Sequence, residues 1–408
     1  MGREHVSPHQ QPTRRTLDIL ATLIAFPTVS RDSNLGLIEW VRDCLRGHGI
    51  GARLSYDDSG AKANLFATIG PDLPGGIVLS GHTDVVPVDG QDWSSDPFKA
   101  RIADGRLYGR GACDMKGFLA AVLACVDRLA AAELRRPVHL AFTYDEEVGC
   151  KGVRTLLADL QAARISPAAC IVGEPTDMQV VTAHKGSRNY RCCVRGKEAH
   201  ASRTQDGVNA IEYAARLIGR IQDLADEYAL APREDSAFDT PYDTLQTALV
   251  NGGLARNIVP RDCEFIFGYR YLPDSDPDRI VGSVQDYARD HVLPRMRRKF
   301  AAADILFEKQ SDNPALRPGP NAAIARFVMG LSGAGHAGPH VSYMTEGGLY
   351  QQAGVASVIC GPGSIEQAHR PDEYVELSQL ARCEAMVAGL CEHAAEFQTD
   401  TETTGEAR

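Results

Sequence analysis

Apolar residues fall into two rhythms along this chain. Between residues 14 and 183, short apolar runs alternate with stretches of helical length. Ile77-Val78-Leu79-Ser80 follows Gly75-Gly76, and residues 137–143 and Ala169–Val172 form two further runs. Continuous apolar runs this short mark strands covered on both faces. Residues 117–134, between the first two runs, have the length and small-apolar content of a packed helix. This βα alternation predicts a mainly parallel sheet with helices on both faces.

From residue 185 to 311 the rhythm changes. A strand (187–194) leads into a long helix (208–228). Strands 245–251 and Asp262–Tyr271 follow, then a helix (278–292) and a strand (305–309). The βαββαβ order predicts a compact α+β insert. The first rhythm then resumes with a strand at 356–360 and a helix at 378–397. The expected fold class is therefore α/β. A discontinuous catalytic domain (14–184 and 312–398) is interrupted by a smaller domain (185–311). Residues 1–13 and 399–408 are expected to be flexible tails.

Composition narrows the function classes. The 408 residues carry a formal net charge of −10, which argues against nucleic acid as a partner and suits small cationic substrates. No apolar run approaches the roughly 18 residues of a membrane span. The first fifteen residues lack the apolar segment of a signal peptide. Eleven cysteines form no regular framework and no CxxC pair, so reduced thiols and a cytoplasmic location are expected.

The chemistry lies in the polar residues that follow the apolar strands. His82 and Asp84 follow the first, Asp145-Glu146-Glu147 the second, Glu174 the third, and His369 the last. Asp114 lies between the first two, directly before the expected helix. In a parallel sheet these positions share the C-terminal edge, where open α/β sheets bind ligands. Any one of them alone reads as a solvated loop residue, and Asp114 alone as a helix cap. Their recurrence at successive connections points to one crevice. Adjacent carboxylates there need a cation or a proton to relieve their repulsion. Histidine and carboxylate donors without thiolates suit zinc, or cobalt or manganese at the same site. One donor from each of these five connections already exceeds the needs of one catalytic zinc, so two ions about 3.5–4 Å apart are expected.

Ser80-Gly81-His82-Thr83-Asp84-Val85-Val86-Pro87 resembles the first metal motif of the M20 metallopeptidase family. Gly111-Ala112-Cys113-Asp114-Met115-Lys116-Gly117, Asp145-Glu146-Glu147-Val148-Gly149 and Val172-Gly173-Glu174-Pro175-Thr176 resemble the next three, in family order. Within that family, Thr345-Glu346-Gly347-Gly348-Leu349 and the segment from Cys360 to His369 resemble the acetylornithine deacetylases. The resemblance implies that Asp114 bridges two metals, with His82 and Glu174 on one and Glu147 and His369 on the other. It implies Glu146 as general base, Asp84 behind the His82 imidazole, and a cis bond after Asp114. Neighbouring side chains of an extended segment point opposite ways, which is consistent with separate roles for Glu146 and Glu147. The insert becomes a lid and dimerisation domain whose His200 reaches the site of a partner subunit in a homodimer. Asn257 and Arg270 become substrate-binding residues, an arginine fork suiting an α-carboxylate.

The expected function is hydrolysis of a small acyl group from an N-acyl amino acid, N-acetylornithine first. Alternatives within the same chemistry are N-succinyl-diaminopimelate, other acyl amino acids and dipeptides. A non-catalytic metal-bound protein fits less well, because Glu146 is present.

Overall fold

The computed structural model describes residues 11–234, 236–394 and 397. It opens with α1 (Arg14–Ala25), α2 (Leu35–Gly47), β1 (Ala52–Tyr56), β2 (Ala63–Ile69) and β3 (Ile77–His82). Then come β4 (Arg101–Ala103), β5 (Arg106–Tyr108), α3 (Gly117–Ala124), α4 (Val126–Ala131), β6 (Val138–Thr143), α5 (Lys151–Ala162) and β7 (Ala169–Val172). The middle of the chain carries β8 (Gly186–Arg195), α6 (Ala210–Ala229), β9 (Thr244–Gly252), β10 (Asp262–Tyr271), α7 (Pro277–Tyr287), α8 (Leu293–Lys299) and β11 (Asp304–Asn313). The last elements are α9 (Ala322–Ser332), α10 (Gly347–Gln352), β12 (Ala356–Ile359), β13 (Tyr374–Glu376) and α11 (Leu377–His393). They separate into two compact units. Among the described residues, the first holds those up to 183, 316–339 and those from 345 onward; the second holds those of 184–315 and 340–344.

In the first unit a six-stranded sheet runs β1-β2-β6-β3-β7-β12. Strands β6, β3, β7 and β12 are parallel, and every residue of β3, β6 and β7 is buried. The continuous apolar runs thus mark the doubly covered strands. At the other edge β1 and β2 form an antiparallel hairpin, with β2 antiparallel to β6. Helix α3 is buried at all eight positions, as expected for a helix apolar on every side. The helix expected over 117–134 is broken at Cys125 and ends at Ala131. Gly173, just past β7, lets this helix approach: a Cβ there would lie 2.0 Å from the Phe118 ring.

The second unit is a four-stranded antiparallel sheet, β11-β8-β10-β9. Burial alternates along β8. Tyr190, Cys192 and Val194 of β8 share a core with Phe265, Phe267 and Tyr269 of β10, Leu217 and Ile221 of α6, and Ile280 and Val284 of α7. Asn209 caps α6 by accepting from the Ile211 and Glu212 amides. Asp276 caps α7, whose first residue is Pro277, a position where proline's missing N–H costs nothing. Helical structure continues to Lys299, beyond the expected end at 292.

Thr13, expected in a tail, caps α1, and its amide donates to Glu384 Oε2 at 2.9 Å. The remaining tail expectations, residues 1–10 and 399–408, lie outside the described residues. No helix among the described residues is long and apolar enough to cross a membrane. All eleven cysteines are free thiols.

His184, in the second unit, is fully buried, and its Nδ1–H donates to the Lys185 carbonyl at 2.8 Å. Burial lowers its pKa from 6.5 to about 4; the Lys185 carbonyl opposes this and the Arg270 charge adds to it. The folded state therefore binds this proton more weakly than the unfolded chain. The contribution is complete above pH 6.5 and is lost as pH falls through 6.5 toward 4. It amounts to about 3 kcal/mol, from 1.36 kcal/mol per pKa unit. His184→Gln should flatten the difference in unfolding free energy across that window, measured by urea denaturation at each pH. An unchanged pH slope would contradict the assignment.

Candidate metal centre and active site

Residues His82, Thr143, Val172 and Ile359 close their strands on one edge of the parallel sheet. His82 is 1% exposed, and its Nδ1 lies 2.9 Å from the Asp84 carbonyl oxygen. With Nδ1–H donating there, the lone pair of Nε2 faces the crevice. Nε2 lies 2.9 Å from Asp114 Oδ1 and 3.6 Å from Glu174 Oε1.

Asp114 lies in a tight turn between Gly111 and Gly117, and its bond to Met115 is cis. The turn wraps the buried Glu373 carboxylate. Oε1 accepts from the Cys113 and Asp114 amides at 2.9 and 3.0 Å; Oε2 accepts from the Gly111 amide at 3.0 Å and Arg110 Nη1 at 2.7 Å. Glu373 and Arg110 are each 1% exposed, so the Asp114 backbone is held by a desolvated ion pair, costly to break on either side.

The segment after β6 is a turn. Asp145 has φ 54°, and the Gly149 and Cys150 amides donate back to the Glu146 carbonyl. The expected extended geometry, with Glu146 and Glu147 on opposite faces, is therefore corrected: both turn toward the cluster. Asp84 fixes them, Oδ1 accepting from the Glu146 amide at 3.0 Å and Oδ2 from the Glu147 amide at 3.3 Å and Ser30 Oγ at 2.7 Å. The Asp84 carboxylate itself lies 3.6 Å from His82 Nδ1, so its main hold on that ring is through its carbonyl. Lys62 Nζ bonds Asp145 Oδ1 and the Ser30 carbonyl, both at 2.5 Å, and braces the same turn from behind.

His369 adopts φ 63°, and Gln91 Nε2 donates to its carbonyl at 2.8 Å. Its Nε2 lies 3.4 Å from Asp114 Oδ2 and 3.1 Å from Glu147 Oε2. Asp114 thus presents one oxygen to His82 and the other to His369. Donor atoms of His82, Asp114 and Glu147 lie within 4.8 Å of one another, as do those of His82, Glu146 and Glu174.

Crowding controls the electrostatics. Burial first, then the neighbouring carboxylates, push Glu146 and Glu174 well above the usual range, and Glu147 upward. Asp114 goes the other way: burial opposes ionisation, but the His369 and His82 imidazoles hold it low. His369 is raised to about 10, chiefly by Asp114 and Glu147. The acids draw positive charge into the cluster, and the His/Asp/Glu set with a two-sided Asp114 fits two divalent cations.

The other expected site residues lie in the second unit. His200 is exposed, with Nδ1 2.8 Å from Ser202 Oγ. The Asn257 carbonyl accepts from the Ala201 amide at 3.0 Å, and His200 pairs with Ile258, so the two segments run side by side. Arg270 is exposed, and its Nη1 is 3.5 Å from the Ser342 carbonyl.

Four residues around the cluster were not read from sequence: Arg110, Glu373, Lys62 and Glu346. Glu346 is 1% exposed and pushed up to about 7 by burial, against donors Thr143 and Ser80. The signal for it was its place in Thr345-Glu346-Gly347-Gly348-Leu349.

Residues 78–393 match the profile of peptidase family M20/M25/M40. The acetylornithine deacetylase of Myxococcus xanthus is 35% identical over 384 residues, 92% of this chain and 96% of that protein. That of Shigella sonnei (strain Ss046) is 33% identical over 384 residues, 92% and 97% respectively. Among solved structures, an M20 family metallo-carboxypeptidase from Sulfolobus solfataricus superposes with a TM-score of 0.75 at 18% identity, covering 94% of this chain and 99% of that one. A dinuclear metal binding peptidase of the M20 family from Bacillus subtilis gives 0.66 at 16% identity, covering 94% and 98%. The structures show a shared fold; the profile and the curated relatives show descent, and the chain belongs to peptidase family M20/M25/M40 as a metal-dependent amide hydrolase.

Proposed function

We propose that this chain hydrolyses N-acetylornithine to ornithine and acetate, as a cytoplasmic homodimer serving arginine biosynthesis. The observation that carries this reading is 33–35% identity to acetylornithine deacetylases over about nine-tenths of the chain. The donor set supports the chemistry. His82, Asp114 and Glu174 would hold one divalent cation and Asp114, Glu147 and His369 a second, zinc or cobalt. When bound, such ions supply Lewis acidity toward the amide carbonyl and acidify water.

The chain's own residues do the rest. Glu146 takes the proton from the attacking water and delivers it to the departing amine nitrogen, a task that suits a carboxylate whose proton affinity burial has raised. Asp84 orients Glu146 through its amide and His82 through Nδ1–H. In the second unit, His200 donates to the developing oxyanion in the partner's site. Arg270 and Asn257 bind the amino-acid portion. Strand β9 is a sheet edge with Leu249 and Val250 64% and 56% exposed, which favours pairing of two copies there.

Release of free amine from a panel of N-acetylornithine, N-succinyl-diaminopimelate, other acyl amino acids and dipeptides tests the substrate. N-acetylornithine should lead by at least about tenfold in kcat/KM; a dipeptide or succinyl substrate in first place would overturn the assignment.

Glu146→Gln should retain metal but lose about 10²–10⁴-fold in kcat, whereas Glu147→Gln should weaken metal binding. Near-normal turnover of a metal-replete Glu146→Gln protein would remove it from the base role.

Mixing inactive His200→Ala and Glu146→Gln proteins under subunit exchange should restore part of the activity, because a mixed dimer contains one site with both groups intact. Verified heterodimers without recovery would sink the shared site.

A further inference from the structure

The ladder between β3 and β6 ends at the pair His82–Thr143. Past it the chains diverge, one toward Asp84 and the other through Tyr144 into the Asp145 turn. Backbone pairing therefore stops where the separation of His82 from Glu146 must be fixed. Asp84 bridges this gap, its Oδ1 accepting from the Glu146 amide, and Glu346, from a third element, ties together the last paired residues of the two strands behind it. The Glu346 carboxylate accepts from Thr143 Oγ1 at 2.6 Å and from Ser80 Oγ at 3.1 Å. Ser80 lies on β3 two residues before His82, and Thr143 closes β6 three residues before Glu146.

We propose that Glu346 is a positioning residue, a clamp across the ends of β3 and β6 that, behind Asp84, helps set the spacing of His82 and Glu146.

The donors are fully used. Ser80 has one proton and gives it to Glu346, so Tyr350, whose Oη is 3.0 Å from Ser80 Oγ, gives its own to Ser80. The carbonyl of Thr143 accepts from the Thr83 amide at 2.8 Å and Thr83 Oγ1 at 2.7 Å, so holding Thr143 also holds the residue after His82. The clamp has its own anchor: the Glu346 carbonyl accepts the Leu349 and Tyr350 amides that start α10. A carboxylate accepts two hydroxyl protons at once; an amide offers one acceptor oxygen and turns a donor toward the other hydroxyl. Aspartate keeps both acceptors but loses one methylene of reach. Because Glu346 is buried, a released Thr143 hydroxyl is left without its partner, while Ser80 keeps only Tyr350.

The inference rests on the roles proposed above for His82 and Glu146, and its test separates the two. Glu346→Asp, Glu346→Gln and Thr143→Val are compared with the unaltered protein in four measurements. These are kcat and KM on the best substrate of the panel, cobalt affinity by chelator competition, the visible absorption of the cobalt protein, and amide exchange in metal-free protein. Glu346→Asp should lose about 10²-fold in kcat, the scale of a displacement near 1 Å, with KM changed less than about threefold. Its cobalt spectrum should shift, and exchange at Thr83 and Glu146 should quicken before metal is added. Glu346→Gln, isosteric with one acceptor kept, should fall between. Thr143→Val should cost activity alone but add nothing to Glu346→Asp, because both act through one clamp. A lowered melting temperature with unchanged kcat, spectrum and exchange would overturn the proposal, as would additive losses in the double variant. If the unaltered protein binds no cobalt and hydrolyses nothing on the panel, the functional reading fails. Exchange at Thr83 and Glu146 then still decides whether the clamp exists.

Discussion

Repulsion among buried carboxylates is the constraint on which the first unit depends. Asp84, Asp114, Glu146, Glu174, Glu346 and Glu373 are all buried, and in a medium that screens poorly each raises the cost of ionising the next. Leaving aside Glu146, and adding the partly buried Glu147 beside it, the fold divides them into two classes. Asp84, Glu346 and Glu373 are tied by backbone amides, hydroxyls or Arg110. Asp114, Glu147 and Glu174 instead have oxygens facing the His82 and His369 imidazoles. The tied acids hold the backbone; the facing acids concentrate the negative charge that draws cations.

Positioning then follows from topology. Parallel strands deliver His82, Glu146 and Glu174 to one edge, and the other contributors reach that edge on turns whose backbones are pinned. The Asp114 turn is wound on Glu373, and the Glu146–Glu147 turn is hung from Asp84. Phe118 of α3 fits against Gly173 at a distance no side chain would allow, which brings the helix after Asp114 close to the strand before Glu174. Packing and the candidate site meet at that glycine: enlarging it would move the segments that carry Asp114 and Glu174 apart.

The sequence made the doubly buried strands and the residues at their ends legible because both signals are local: a continuous apolar run, then a polar group. What stayed hidden depends on contacts between distant segments. The β1–β2 hairpin carries no such run. Helix α3 breaks at Cys125 without a glycine or proline to announce it. Glu373 looks like any charged loop residue until its carboxylate is seen filled by amides some 260 positions away. Asp145 carries φ 54°, and no residue type in that turn demands it, so the inference from extended geometry about Glu146 and Glu147 failed. The order of motifs was readable at once, whereas the bracing around them was not.

The two halves of the centre are unequal, and the inequality has a physical consequence. Around His82, side-chain exposure is 1% for the imidazole, 8% for Asp114 and 6% for Glu174. His369 is 54% exposed, although its Glu147 partner is 9%. Charge interactions strengthen as water is excluded, so the His82 half favours a tightly held cation and a rigid imidazole. The His369 half is open to solvent, and its charge interactions are more strongly screened. Asp114 joins them, one oxygen in each environment, and its backbone is fixed by Glu373 independently of either histidine. The carboxylate that faces both halves thus stays where the turn holds it.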